Sequence, residues 1–183
     1  MTSRALKGVF RSLRLYQGPD APRAQMDALY ARFVGAGDLA FDIGAHVGDR
    51  VSSFRRLGAR VVALEPQPLA MRALRLIHGQ DDAVRLIPAA AAARSGSLQL
   101  KINTANPTVS TASAHFIADA DGARGWEGQV WDDEITVRAV TLDDLIAQMG
   151  RPSFIKIDVE GFEDEVLAGL TQPVAALSFE FTT

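Results

Sequence analysis

The sequence predicts an α/β fold built on a doubly wound, mostly parallel sheet, and three observations predict it. Short apolar runs alternate with helical patterns at the pace of βαβ units over 39–43, 47–57, 60–64, 69–78 and 84–87, with glycines at 44, 58 and 79 closing three of them. The run FIKIDV (154–159) reads as a central strand, because its apolar residues are nearly continuous rather than alternating. A chain of 183 residues with 48% hydrophobic and 22% charged residues has the balance of one globular domain with a substantial core.

Composition excludes several chemistries. A net charge of −3 gives no global basic footprint, so no nucleic-acid partner is expected. Cysteine is absent, which removes disulfides, Cys-ligated zinc, iron–sulfur clusters and thiolate nucleophiles. Three histidines (His46, His78, His115) lie far apart, with no zinc-binding spacing. No apolar run approaches the ~20 residues of a membrane span, and the N-terminus lacks the apolar region of a signal peptide, so the expectation is a cytoplasmic chain with no integral membrane segment.

The elements follow in order. Residues 1–17 carry Arg4, Lys7, Arg11 and Arg14 with no acid, and Leu6, Phe10 and Leu13 recur at helical spacing. This basic amphipathic helix reads either as a membrane-surface or partner-binding element, or as a leading helix packed on the domain, or as a frayed terminus. Asp20 opens a second helix with an apolar stripe of Met26, Leu29, Tyr30 and Phe33, stopped at Gly35. Together these make 1–36 an N-terminal helical segment, with 37–183 the main domain. After the third strand, 97–102 and 135–140 alternate with period two and predict an inserted antiparallel pair. The segment between them lacks periodicity and reads as a lid, a binding loop or disorder. Its Trp126 and Trp131 could wall a sugar site or anchor the loop. Thr141 to Asp144 predicts a capping box opening a helix to Met149. A strand at 154–159, a helix at 163–170 and a last strand at 174–181 complete the order. That last strand would be an exposed edge. It is expected to pair with a second copy as a homodimer, to be covered by the N-terminal helix or middle segment, or to continue in a longer protein.

The first βα junction reads Asp42-Ile-Gly44-Ala-His46-Val-Gly48. Gly44 permits a tight turn at the strand end and Gly48 a close approach of the next helix, whose first N–H groups then face a ligand. An acid two residues before the first glycine repels a pyrophosphate. It suits a ligand with an ammonium group and a sulfonium, such as S-adenosylmethionine (SAM). Glu65 ends the second strand, where a carboxylate can accept hydrogen bonds from both ribose hydroxyls. Lys156 and Asp158 alternate onto one face of the 154–159 strand, so the lysine pairs with a carboxylate such as Asp158 or Glu180, while Asp158 and Glu160 line the ligand crevice. Asp158, Glu160 and Glu180 could also present oxygens to Mg²⁺, but nothing in the spacing requires it, and no metal is expected.

The segments FDIGAHVGDR, VVALEPQP, VTLDDL, FIKIDVEGFEDEVLAGL and LSFEF, in this order over 37–181, resemble the FkbM family of SAM-dependent methyltransferases. The resemblance implies the class I methyltransferase sheet, with the strands of Asp42 and Asp158 adjacent and a C-terminal hairpin that is expected to be missing from this sequence. It implies methylation of a hydroxyl on a sugar, glycan or natural-product scaffold. Asp42, Gly44 and Gly48 would hold the methionine end of the cofactor, with His46 where family members usually carry Asn. Glu65, with Pro66 beside it, would hold the ribose. The candidate bases, in order, are Asp158, Glu160 and His115, with Lys156 orienting. His115 also fits an ordinary exposed or packed loop residue, and His78 a helix C-terminus favoured by the macrodipole. Two other readings stand beside this one: a non-catalytic SAM- or nucleoside-binding module acting as a partner subunit, and a nicotinamide-dependent oxidoreductase, which Asp42 and the missing G-x-G-x-x-G disfavour.

Overall fold

The computed structural model describes residues 3–180. Helices α1 (Ser3–Tyr16) and α2 (Arg23–Tyr30) lead into β1 (Leu39–Ile43), α3 (Asp49–Arg56), β2 (Arg60–Leu64), α4 (Pro68–His78) and β3 (Val84–Ile87). Then come β4 (Ala90–Ala91), β5 (Gly96–Ile102), a 3₁₀ turn (Pro107–Val109), α5 (Ala114–Ala120), β6 (Asp133–Val140) and α6 (Leu142–Met149). The last elements are β7 (Phe154–Ile157), α7 (Glu163–Ala168) and β8 (Leu177–Phe179). Five parallel strands make the main sheet in the order β3-β2-β1-β7-β8, and β4-β6-β5 form a second, small sheet. The predicted doubly wound sheet is therefore present, and the strands of Asp42 and Asp158 are neighbours, with Asp42 opposite Lys156 in register.

Period-two geometry sends alternate residues of each strand to opposite faces, and both faces are covered. On one, Leu39, Phe41, Ile43, Ile155 and Ile157 pack with Leu142, Leu145 and Val166 of α6 and α7. On the other, Ala40, Val61, Ala63 and Phe154 pack with Tyr30, Val34, Phe54, Met71 and Leu74. Every residue of β1 is buried, including Asp42.

Some boundaries and stripes differ from the sequence reading, for local reasons. Helix α3 starts at Asp49 because Gly48 sits in the left-handed region (φ 82°) as its N-cap. The seam of α1 is Val9, Leu13 and Tyr16, packed against Val47, Leu69 and Ala73, so Phe10 points outward. In α2 Leu29 is likewise exposed, and Phe33, beyond the end of the helix, stacks on Phe154 with centroids 5.4 Å apart while keeping part of its ring exposed. The antiparallel pair β5–β6 forms as predicted, in register Ser97↔Arg138 to Ile102↔Asp133. The Thr141 hydroxyl caps α6 by accepting from the Asp144 N–H at 3.0 Å. Strand β4, the 3₁₀ turn and α5 went unpredicted. Strand β7 ends at Ile157, two residues early, and β8 spans three residues at the sheet edge, paired with β7. Phe181, placed in that strand by the sequence, lies outside the described residues. Among the described residues no helix is long and apolar enough to cross a membrane.

Candidate active site

A cavity opens at the carboxyl ends of β1, β2 and β7, the position where open parallel sheets bind ligands. Its wall includes Gly44, Ala45 and His46 from the β1 turn, Glu65, Pro66 and Gln67 after β2, and Lys156, Asp158 and Glu160 at the end of β7. Gly44 (φ 79°) is required there: a Cβ would stand 1.9 Å from the Asp158 carbonyl oxygen. Gly48 and Asp42 do not line the cavity. A Cβ on Gly48 would meet Leu74 of α4 at 2.6 Å, so this glycine serves helix packing. Asp42 is fully buried and meets the wall through Lys156, 3.5 Å away.

Each carboxylate of the site has its own environment. Glu65 is 2% exposed, and its two oxygens accept the His46 and Gln67 backbone N–H groups, both at 2.8 Å. Burial pushes its carboxyl up to about 7 despite those two bonds. The Lys156 ammonium donates to the Gly44 carbonyl at 3.4 Å and lies 3.1 Å from Asp158 and 3.5 Å from Asp42. Burial disfavours that ammonium, but Asp42 and Asp158 outweigh it and hold the lysine charged. Burial raises Asp42, and the Lys156 charge opposes the rise. Asp42's oxygens have no hydrogen-bond partner, so the ion contact with Lys156 is what offsets their desolvation. Asp158 is also pushed up by burial, yet Lys156 and a hydrogen bond from Glu180 bring it below the usual carboxylate range. Glu160 has no ion pair with Lys156, whose charge acts on it only weakly. Burial, then the charges of Asp158, Glu180 and Glu163, push it up to about 8.

Two features of the backbone and the polar inventory single out this cavity. His46 (φ 46°) and Glu160 (φ 56°) are the non-glycine residues with positive φ among the described residues, and both line it. Such conformations cost free energy and cluster at functional sites. Both His46 ring nitrogens and the Arg50 Nε are buried without a hydrogen-bond partner, and both residues line the same wall. Burial pushes the His46 imidazole down to about 4, so it is neutral and can donate at one nitrogen and accept at the other.

Several residues of the wall were not singled out from the sequence. Tyr16, at the end of α1, meets the His46 ring edge-on at 6.3 Å. Arg50 is ion-paired to Asp49 in the first turn of α3. Gln67 donates to the Pro107 carbonyl at 2.9 Å and accepts from Ser110 at 3.3 Å, which ties the inserted segment to the cavity. Asp49 and Arg50 directly follow the glycine motif and were legible as the first helical turn. Tyr16 and Ser110 carry no local signal, because only the tertiary fold brings them in.

A second groove adjoins the first, sharing Ala112 and Phe162 with it. Phe116 and Trp126 line it, with centroids 5.0 Å apart. Trp131 packs on Phe116 at 6.2 Å and donates from Nε1 to the Val109 carbonyl at 2.8 Å, so it anchors the inserted segment. His115 is an exposed residue of α5, paired with Asp119 at 2.7 Å, and it lines this groove rather than the cavity. His78 corrects the macrodipole reading. It is buried, its Nε2 lies 3.3 Å from the Gly48 carbonyl, and burial lowers its pKa, so it is a neutral packing residue. Asp158, Glu160 and Glu180 each place a carboxylate oxygen within 4.8 Å of the others. The Lys156 charge and the raised Glu160 and Glu180 groups account for that closeness without an ion.

The methyltransferase FkbM domain matches residues 42–182. A curated relative, the hexuronic acid methyltransferase AglP of Haloferax volcanii, is 26% identical over 145 residues, 78% of this chain and 54% of the relative. The chain thus spans about half the length of that relative. Among solved structures, a precorrin-6y C5,15-methyltransferase from Geobacter metallireducens aligns with TM-score 0.42 at 16% identity, over 80% of this chain and 53% of that one. A precorrin 8w decarboxylase from Methanobacterium thermoautotrophicum aligns with TM-score 0.42 at 15% identity, over 83% and 56%. The cavity's chemistry fits the methyl donor that the family implies, S-adenosylmethionine: the buried polar groups without partners at His46 and Arg50 would suit its amino-acid end, and the pinned carboxylate of Glu65 would suit its ribose diol. With its parallel sheet, its crevice at the β1–β7 switch point and a domain match over most of its length, this chain belongs to the FkbM family of methyltransferases.

Proposed function

We propose that the chain transfers a methyl group from SAM to a hydroxyl of a sugar, glycan or natural-product scaffold. The observation that carries this reading is the pairing of His46 and Glu160, two strained residues on one cavity wall, with a groove for an acceptor directly beside Glu160. The bound donor supplies an electrophilic methyl group on a sulfonium; the chain supplies position and a base. Glu65 keeps lone pairs free on both pinned oxygens and accepts the ribose hydroxyls. His46 and Arg50 hold the amino-acid end. Lys156 fixes Asp158 and, through Gly44, the turn against which the ligand rests.

A hydroxyl is a weak nucleophile at neutral pH, and a base matched to the working pH is worth ~10²–10⁴-fold. The structure favours Glu160 for that role over Asp158, because Asp158 is committed to Lys156 and is the weaker base. Glu160, once ionised, takes the hydroxyl proton as the oxygen–carbon bond forms and the carbon–sulfur bond breaks. The sugar class of acceptor rests on the relative that acts on a hexuronic acid, and on the aromatic lining of the groove. The test is release of S-adenosylhomocysteine with a panel of hydroxylated acceptors, read beside SAM binding by calorimetry. Turnover on a sugar hydroxyl supports the proposal. Tight SAM binding with no turnover on any acceptor supports the non-catalytic partner module, and absent SAM binding overturns both.

A further inference from the structure

Helices α1 and α4 pack side by side through Val9, Leu13, Leu69 and Ala73, and neither contains an acidic residue. In a chain of net charge −3, these two helices carry Arg4, Lys7, Arg11, Arg14, Arg72 and Arg75. All six are exposed, and of the six only Arg4 has a carboxylate partner among the described residues, Asp132 at 3.5 Å. Arg11 donates to neutral oxygens of Ala105 and Asn106. Of the acids that flank the two helices, Glu65 is buried and Asp81 is held by Arg55 at 2.7 Å, while Asp20 and Asp82 are exposed beyond the helix ends.

Among these cations stand large apolar side chains that no described residue covers. Phe10 is 64% exposed, Leu15 62% and Leu76 84%. Helical geometry places Phe10 and Arg14 on the outer side of α1, and Arg72 and Leu76 on the outer side of α4, flanking the shared seam. Ordinary folding logic would exchange such residues for polar ones, since no core needs them there.

We propose that the α1–α4 face docks peripherally on the anionic headgroup surface of a membrane, inserting Phe10, Leu15 and Leu76 among the headgroups while the lysine and arginines neutralise them. This inference goes beyond the methyl-transfer reading and does not depend on it. The pattern is that of interfacial amphipathic helices: basic side chains for the headgroups and apolar ones for the acyl boundary. A second copy of the chain is a poor occupant, because the face would meet its own positive charge. A phosphate backbone would leave the three apolar side chains uncovered. Docking would also bear on the site, since Tyr16 at the end of α1 forms part of the cavity wall.

The test is co-sedimentation with vesicles of phosphatidylcholine alone and of phosphatidylcholine mixed with phosphatidylserine. The full chain should sediment with the mixed vesicles and not with the neutral ones, and added salt should weaken the binding. Each basic residue near such a surface contributes a factor of about five, so Lys7→Glu with Arg14→Glu and Arg75→Glu should abolish it. Phe10→Ser with Leu76→Ser should weaken it at least tenfold while leaving its salt dependence. All five positions are exposed, and SAM affinity by calorimetry should be unchanged in both variants, which separates lost docking from lost folding. No binding to mixed vesicles, equal binding to neutral ones, indifference to the charge reversals, or displacement from mixed vesicles by duplex DNA with no effect of the Phe10 and Leu76 changes would each overturn the proposal.

Discussion

At the scale of single residues, the site separates two carboxylates by what stands beside them. Asp158 and Glu160 are two positions apart, yet the Lys156 ammonium lies 3.1 Å from the first, while on the second the charges of three neighbouring acids outweigh its pull. Removing Glu160 as a base should therefore cost turnover rather than binding. Glu160→Gln is expected to lower kcat about 10²–10³-fold with SAM affinity within threefold, and to erase the rise of kcat with pH through about 8 that its ionisation predicts. An unchanged pH profile in the variant would assign the base elsewhere, with Asp158→Asn the next variant to assay. Glu65→Ala should act in the opposite way, weakening SAM at least tenfold by removing up to two charged hydrogen bonds of ~1.5–3 kcal/mol each; calorimetry reads this directly. Lys156 is a third case. Lys156→Met would leave Asp42 fully buried without a counter-charge, and removing one partner of a buried pair costs about 3–5 kcal/mol. The double variant Lys156→Met, Asp42→Leu should recover most of that loss in urea titrations, and failure to recover would show that the pair is not the source.

Elements differ in how far their own residues specify them. Strands β1, β2 and β3 and the capping of α6 were legible because the signals are local: apolar runs bounded by glycine, and a threonine three residues before an acid. The βαβ glycines and Glu65 were legible for the same reason, since a cofactor turn is a short stretch of backbone. Helix α5 was not legible. Seven residues cannot hold a helix by propensity, and AHFIADA has no sustained stripe. Its order comes from Ser113, which accepts the Phe116 N–H at 3.1 Å, and from Phe116 itself, which packs on Trp126 and Trp131 across the groove. The α1 stripe was misread for a related reason. Leu6-Phe10-Leu13 and Val9-Leu13-Tyr16 are both plausible seams, and the choice between them depends on where α4 sits. A tertiary origin for α5 makes a specific prediction. Trp131→Ala removes a ring contact and the hydrogen bond to Val109 together, so it should loosen the 103–132 segment, raise proteolysis there, and raise the acceptor KM more than the SAM dissociation constant. Equal effects on both ligands would mean that the segment holds the cofactor cavity as much as the groove.

For the molecule as a whole, the same burial that tunes the site makes stability depend on pH in a direction unusual for carboxylates. Glu65 is raised to about 7 and Glu160 to about 8, and Asp42 and Glu180 are raised as well. Each of these groups holds its proton in the folded chain after the unfolded chain has released it. Stability from them is full below their unfolded carboxyl values, 3.8 for the aspartate and 4.5 for the glutamates, and is lost as pH rises through the folded values. The histidines act oppositely. His46 is lowered to about 4 and His78 is lowered too, so their contribution is full above 6.5 and is lost as pH falls. Between 4.5 and 6.5 the two sets oppose one another. Above 6.5 the histidines no longer contribute any slope, and only the raised carboxyls remain. The ligand-free chain is therefore expected to lose stability from about pH 6.5 to 8, by about 1–2 kcal/mol for Glu160 alone. Glu160→Gln, which carries no charge to bury, should flatten this fall and make the variant more stable than the parent at about pH 8.5, although it is the weaker enzyme. Urea midpoints measured across that range decide it. A parent whose stability is level or rises from pH 6.5 to 8 would show that solvent reaches these carboxyls in the ligand-free cavity, and the case for Glu160 as a base poised near 8 would fall with it.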